Sequence, residues 1–184
     1  MKLAVGQSAI DLKKLEVERR NNMAGNVAGI STLGSLTGYA VETTAGTKPT
    51  KFTMLHRINA SDEIAIETET IDASALEDMV ERTIAGRGST GGTFGVTVNI
   101  TDETITEWET LIEAYETAKA GGKAMWWEEY FPSLSKAFFT KVEPPTIIPK
   151  PAREQNGLLT ATMTMTINEY VGPDTAVVPT DGEE

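Results

Sequence analysis

The 184-residue chain has 16 Lys/Arg against 27 Asp/Glu, a net charge of −11, with one His and no Cys. Lack of Cys excludes disulfides, a thiolate nucleophile and Cys-ligated metal, and a single His excludes a His relay or multi-His metal site within one chain. Such acidity disfavours a grip on nucleic acid, which needs Lys/Arg against phosphate, and the length suits one domain with its own core.

The charge is uneven. Residues 1–61 carry eight Lys/Arg against four Asp/Glu, residues 62–116 two against fourteen, and residues 117–184 six against nine. A solvated acidic face is the ordinary reading of the middle block. Residues 1–22 admit two readings: a strand begun by Leu15 and Val17, or a helical arm over 11–20 ended by Asn21 and Asn22. Met1–Gly6 has one Lys and no apolar run after it, so no signal peptide is expected, and no stretch reaches the roughly 18 apolar residues of a membrane span.

Residues 25–43, rich in Gly, Ser and Thr around Val27, Ile30, Leu33, Leu36, Tyr39 and Val41, suit one or two twisted strands. A loop or hairpin tip follows at 44–50, then strands at 51–58 and 63–71. Ser74 and Glu77 have capping-box spacing. With Leu76, Met79, Val80 and Ile84 behind them, they predict a short helix, followed by a Gly-rich loop over 86–92. Phe94, Val96, Val98 and Ile100 alternate as a half-buried strand.

The strongest signal is a long helix. Ile105, Trp108, Leu111, Ile112, Tyr115 and Ala118 form one apolar stripe, Glu107, Glu109, Glu113 and Glu116 occupy much of the rest, and Gly121-Gly122 offers the left-handed exit. Thr104 and Glu107 are its predicted capping pair, and a sheet is its expected seat. An aromatic strand follows at 123–131 and another at 135–142, and the prolines 144, 145, 149 and 151 make 143–156 an extended connection. In 159–170, Leu159, Ala161, Met163, Met165 and Ile167 alternate with Thr160, Thr162, Thr164, Thr166 and Asn168, the cleanest strand of the chain. Residues 172–184 read as a mobile tail beyond a single domain of 1–171.

Candidates for chemistry are weak. The 86–93 run GRGSTGGT lacks the Gly-Lys-Ser/Thr ending of a phosphate loop, and a strand rather than a helix follows it. His56 lies in a strand-like stretch, packed or exposed rather than catalytic. Glu128 and Glu129 are adjacent on a strand, face opposite ways, and are poor acid/base partners. Trp126 and Trp127 are likewise opposed, one expected in the core and one at an interface. No D-x-D-x-D-G calcium loop is present. The expectation is a protein with no enzymatic activity, no cofactor, no metal and no catalytic residues.

The run ETIDASAL (69–76), a short amphipathic segment to Ala85-Gly86, and GGTFGVTVN (91–99) resemble the central signature of major tail tube proteins of long-tailed bacteriophages. The following helix, the strands 125–130 and 136–143, and the Asn156-Gly157 turn into a Thr-rich strand continue that family's order. The resemblance spans roughly 63–171, with Ala73 in place of the usual β-branched residue. It implies a mainly β fold with a flanking helix: a tail-tube-type β-sandwich whose inner strands join into a barrel on hexameric assembly. It further implies a virion structural protein that self-assembles into stacked homohexameric rings and is made in the host cytoplasm. DNA would pass down the lumen at genome ejection without tight binding, and tape measure and tail tip or terminator proteins would be further partners. Closing strands into a ring also removes exposed edges. The loops 44–50 and 143–156 are the expected ring–ring contacts. The competing expectation is a monomeric β-sandwich binding module that stacks a sugar on Trp126 or Tyr130.

Overall fold

The computed structural model describes residues 29–153 and 155–182. The expected arm over 1–22 lies outside the described residues. Within them the chain is mainly β, and its strands are β1 (Leu36–Val41), β2 (Thr53–Leu55), β3 (Ile58–Ser61), β4 (Glu67–Asp72), β5 (Thr83–Ser89), β6 (Thr93–Asn99), β7 (Met125–Tyr130), β8 (Lys136–Glu143) and β9 (Thr160–Thr175), with helix α1 (Asp102–Ala120) between β6 and β7.

Seven strands form one sheet in the order β2-β1-β7-β8-β9-β6-β3, while β4 and β5, among the described residues, pair only with each other. β2 and β3 are the opposite edges of that sheet, yet only His56 and Arg57 separate them. Three Cα–Cα links span at most about 11 Å, so the sheet has to roll until its edges nearly meet. Arg57 takes the sharp corner with φ 58°, a conformation rare outside Gly and Asn. The seven strands therefore make one continuous, rolled sheet.

The concave face carries the larger core. Phe94, Val96 and Val98 from β6 meet Ala161, Met163 and Met165 from β9, with Tyr39, Leu55, Met125, Trp127 and Val142 completing the wall. α1 seats Trp108, Leu111 and Tyr115 in it, and the Trp108 and Trp127 rings lie 6.2 Å apart. The predicted helical stripe is thus the buried one. Its cap is Thr101, one turn earlier than predicted. The Thr101 side chain accepts from the Thr104 N–H at 3.2 Å, and the Thr104 hydroxyl accepts from the Thr101 N–H at 2.9 Å. Thr104 is N3 of this box, and Glu107 is free to act elsewhere.

A second cluster lies on the convex face: Ala40, Phe52, Trp126, Ala137 and Phe139, with Ala176 and Val177 against it. This corrects two expectations. Both tryptophans are buried, one on each side of the sheet. The part of the expected tail that is described, 172–182, is instead built into the fold: β9 runs to Thr175, and beyond it Thr180 donates to the Phe52 carbonyl at 3.0 Å and accepts from the Met54 N–H at 2.8 Å. Gly38 lies beneath this strap, where a Cβ would come within 2.9 Å of Pro179.

Candidate assembly surfaces

Segment 73–82, predicted as a helix, is the connecting loop of the β4–β5 hairpin. Ser74, the predicted cap, folds the loop on itself instead, together with Asp72 and Asp78. Ser74 Oγ accepts from the Arg82 N–H at 2.9 Å, Asp72 Oδ1 from the Ser74 N–H at 2.8 Å, and Asp78 Oδ2 from the Ala75 N–H at 2.9 Å. Short polar side chains that bond nearby backbone compete with helix formation in this way. The predicted 86–92 loop is mostly β5, with the turn confined to Gly91 and Gly92 at φ 75° and 81°.

Every residue of β4 is exposed. Ile71 and Ile84 are cross-strand partners, both more than half exposed, and Leu76 and Met79 at the tip are fully so. A two-stranded ribbon is at best marginal alone in water, and contiguous exposed apolar side chains mark a surface built for contact. The apolar spacing read as a helical stripe is the apolar tip of a hairpin.

A second surface is polar. On the convex face of β6 and β9 the register sets Thr93 opposite Thr166, Gly95 opposite Thr164, Thr97 opposite Thr162 and Asn99 opposite Thr160. The Thr97 and Thr162 hydroxyls lie 3.1 Å apart. The result is a ladder of hydroxyls, as the alternation in 159–170 predicted, with the Asp62 carboxylate resting on it at Gly95.

The two loops expected at ring–ring contacts are each anchored to the body at a few points and are otherwise mostly exposed. In 44–50, Lys48 pairs with Asp174 at 2.8 Å and sits 3.7 Å from the centre of the Phe139 ring, and Pro49 is buried. In 143–156, Pro144 is buried, Ile148 packs on the core, and Ala152 bridges to Thr160.

The other candidate residues are structural pieces. Glu42, 3 % exposed, accepts the Trp126 indole N–H at 2.9 Å, the Gly46 N–H at 2.9 Å and the Ala124 N–H at 3.2 Å. Trp126 therefore has its indole committed and its ring covered, which removes it as a sugar platform, and Tyr130 packs half-buried beside the same cluster. His56 stands between α1 and the C-terminal strap: its Nδ1 pairs with Glu107, and its Nε2 lies 3.1 Å from Asp181 Oδ1. The Glu107 hydrogen bond lifts the His56 pKa above its usual value; burial opposes this, while Asp181 and Glu103 add to it. Glu128 and Glu129 do face opposite ways, Glu128 toward Val177 in the strap and Glu129 toward the Ser61 hydroxyl. Among the described residues no group of three or more His, Cys, Asp or Glu is placed to hold a metal, and no helix is long and apolar enough to cross a membrane.

No protein-family model and no curated protein matches the chain. Among solved structures it is similar to a chain described as the tail of an empty GTA particle of C6 symmetry. That match has a TM-score of 0.46 and 15% identity, and covers 77% of this chain and 94% of the other.

Proposed function

We propose that this chain is a structural subunit of a phage-type tail tube, which assembles into stacked hexameric rings around a lumen that conducts DNA. The observation that carries the reading is the β4–β5 hairpin, whose large apolar side chains find no cover among the described residues. Burying one such side chain against a neighbour contributes roughly 1.5–3 kcal/mol, and a ring repeats that contact at every subunit. The 69–76 and 91–99 motifs, which resemble the tail tube signature, flank and enter this hairpin and support the same reading.

The Thr ladder of β6 and β9 is the lumen lining in this proposal. Uncharged hydroxyls hydrate a passing duplex without displacing its counterions, whereas a Lys/Arg lining would bind it tightly. The protein acts by assembly and carries no catalytic role. Tape measure and tail tip or terminator proteins would complete the tail.

Sedimentation over a concentration series tests the assembly step. The reading expects discrete larger species to grow as concentration rises, or on addition of a tail initiator. A chain that stays monomeric throughout, initiator included, overturns it and leaves a monomeric β module.

A further inference from the structure

We propose that the C-terminal strap over 176–181 is a proton-gated flap: it lies closed while the Glu128 carboxyl beneath it carries its proton, and is released when that proton leaves. The sheet register puts one row of residues under the strap. Phe139 on β8 lies opposite Glu128 on β7, Glu128 opposite Gly38 on β1, and Gly38 opposite Met54 on β2. Opposed residues of antiparallel strands share a face, so the row crosses four strands. The strap follows it. Val177 donates to Glu128, Pro179 covers Gly38, and Thr180 bonds to the Phe52 carbonyl and the Met54 N–H.

Glu128 thus sits near the middle of the covered row. Its Oε1 takes the Val177 N–H, and its Oε2 has no partner among the described residues. An ionised carboxylate in that place is costly, and lifting the strap gives it water. Residues 176–180 carry no charge, and Gly38 and Phe139 flank Glu128 on the neighbouring strands. Lys48 faces it from the 44–50 loop, but its Nζ is held by Asp174 at 2.8 Å and by the Thr175 carbonyl at 2.9 Å. Those bonds pin the root of the strap and leave its span free to lift. Farther along the face, Glu42 takes the Trp126 indole and Lys141 pairs with Glu169. At the far end Asp181 meets His56, which Glu107 and Glu103 also face.

The direction follows from the two states of the carboxyl. Under the closed strap, burial raises it to about 7, and in an open strap it returns toward its ordinary 4.5. Opening therefore releases a proton between these values, and rising pH favours the open form. His56 acts in the same direction: protonated it attracts Asp181, and the attraction fades as the proton leaves. Its share is smaller, because Asp181 is mostly exposed and Glu107 holds His56 in both states. Opening uncovers Phe52, Trp126 and Phe139 and frees the Met54 N–H at the sheet edge.

The test is amide hydrogen exchange of the full chain, dilute enough to be monomeric, at pH 5.5 and pH 8. Rates are read as protection, so that the intrinsic pH dependence cancels. The Met54 and Thr180 N–H groups report the strap, and those of Val96 and Met163, partners in β6 and β9, report the body. Strap protection should lie well below body protection at both pH values and fall about tenfold or more toward pH 8. Glu128→Gln, which keeps the acceptor and cannot ionise, should shrink that fall to less than about threefold. In wild type, the Glu128 carboxyl ¹³C resonance should titrate over the range where strap protection is lost. Strap and body protection of equal size would mean that the strap opens only with global unfolding, and would overturn the proposal. So would a fall that persists in Glu128→Gln, or a Glu128 carboxyl already ionised at pH 5.5.

Discussion

Glu128 Oε1 accepts the Val177 N–H at 2.9 Å while the Glu128 side chain is fully buried and its Oε2 finds no partner among the described residues. Burial pushes this carboxyl up to about 7, against the opposing pull of the Val177 bond and of Lys48. Its folded pKa therefore lies above the unfolded value of 4.5. Ionised Glu128 opposes folding, fully so above the folded pKa, and the penalty disappears as pH falls to the unfolded value. Glu128→Gln keeps the acceptor for Val177 and removes the charge. It should stabilise the protein by about 2 kcal/mol near pH 8 and change little near pH 4.5. Urea midpoints at the two pH values check this, and a less stable variant at the higher pH contradicts it.

Trp108 is fully buried against Trp127. Trp108→Ala should cost about 3–5 kcal/mol, the range for emptying a large aromatic site in a packed core. Glu109, the next residue along α1, is exposed, and Glu109→Ala should stay within about 0.5 kcal/mol. Denaturant unfolding of the pair measures both. Equal, small losses would mean that α1 is not docked through this stripe.

His56 gives the opposite pH dependence from an ordinary surface carboxylate. Its pKa is raised in the folded state, chiefly by Glu107, so its stabilising effect is complete below the unfolded value of 6.5 and is lost as pH rises through the folded value. His56→Ala should therefore be less stable than wild type near pH 5.5, with the gap closing near pH 9. Because Asp181 shares His56, amide exchange in 176–182 should quicken in the variant at the lower pH. A gap that widens with pH would contradict the assignment.

The sequence declared its regular elements wherever one face is buried throughout. The α1 stripe and the alternation of β6 and β9 read directly, because each residue meets one environment, core or solvent. It failed where side chains serve the loop rather than the core. Ser74, Glu77 and the spacing of Leu76, Met79 and Val80 imitate a capped amphipathic helix, and no local signal says that the apolar face lacks a floor. The rolled sheet was also hidden, since it depends on β1 pairing with β7 and β3 with β6, strands remote in sequence. The C-terminal strap was missed for a similar reason: Ala176, Val177 and Pro179 form no periodic run, and their cover over Phe52 and Phe139 is purely tertiary.

The hairpin tip separates folding from assembly. Leu76 and Met79 touch solvent fully, so Leu76→Ser with Met79→Ser should leave the unfolding midpoint within about 0.5 kcal/mol of wild type. The same double variant should fail to form higher species at concentrations where wild type does. Normal assembly by the variant would remove the tip from the contact.

Negative-stain electron microscopy of the concentrated, purified chain tests the central claim most directly. The account predicts hollow tubes or rings with six-fold symmetry, whose channel is lined by Thr160, Thr162, Thr164 and Thr166 and binds no duplex DNA at physiological salt. Fields of dispersed monomers, at millimolar concentration and with a tail initiator present, would contradict it.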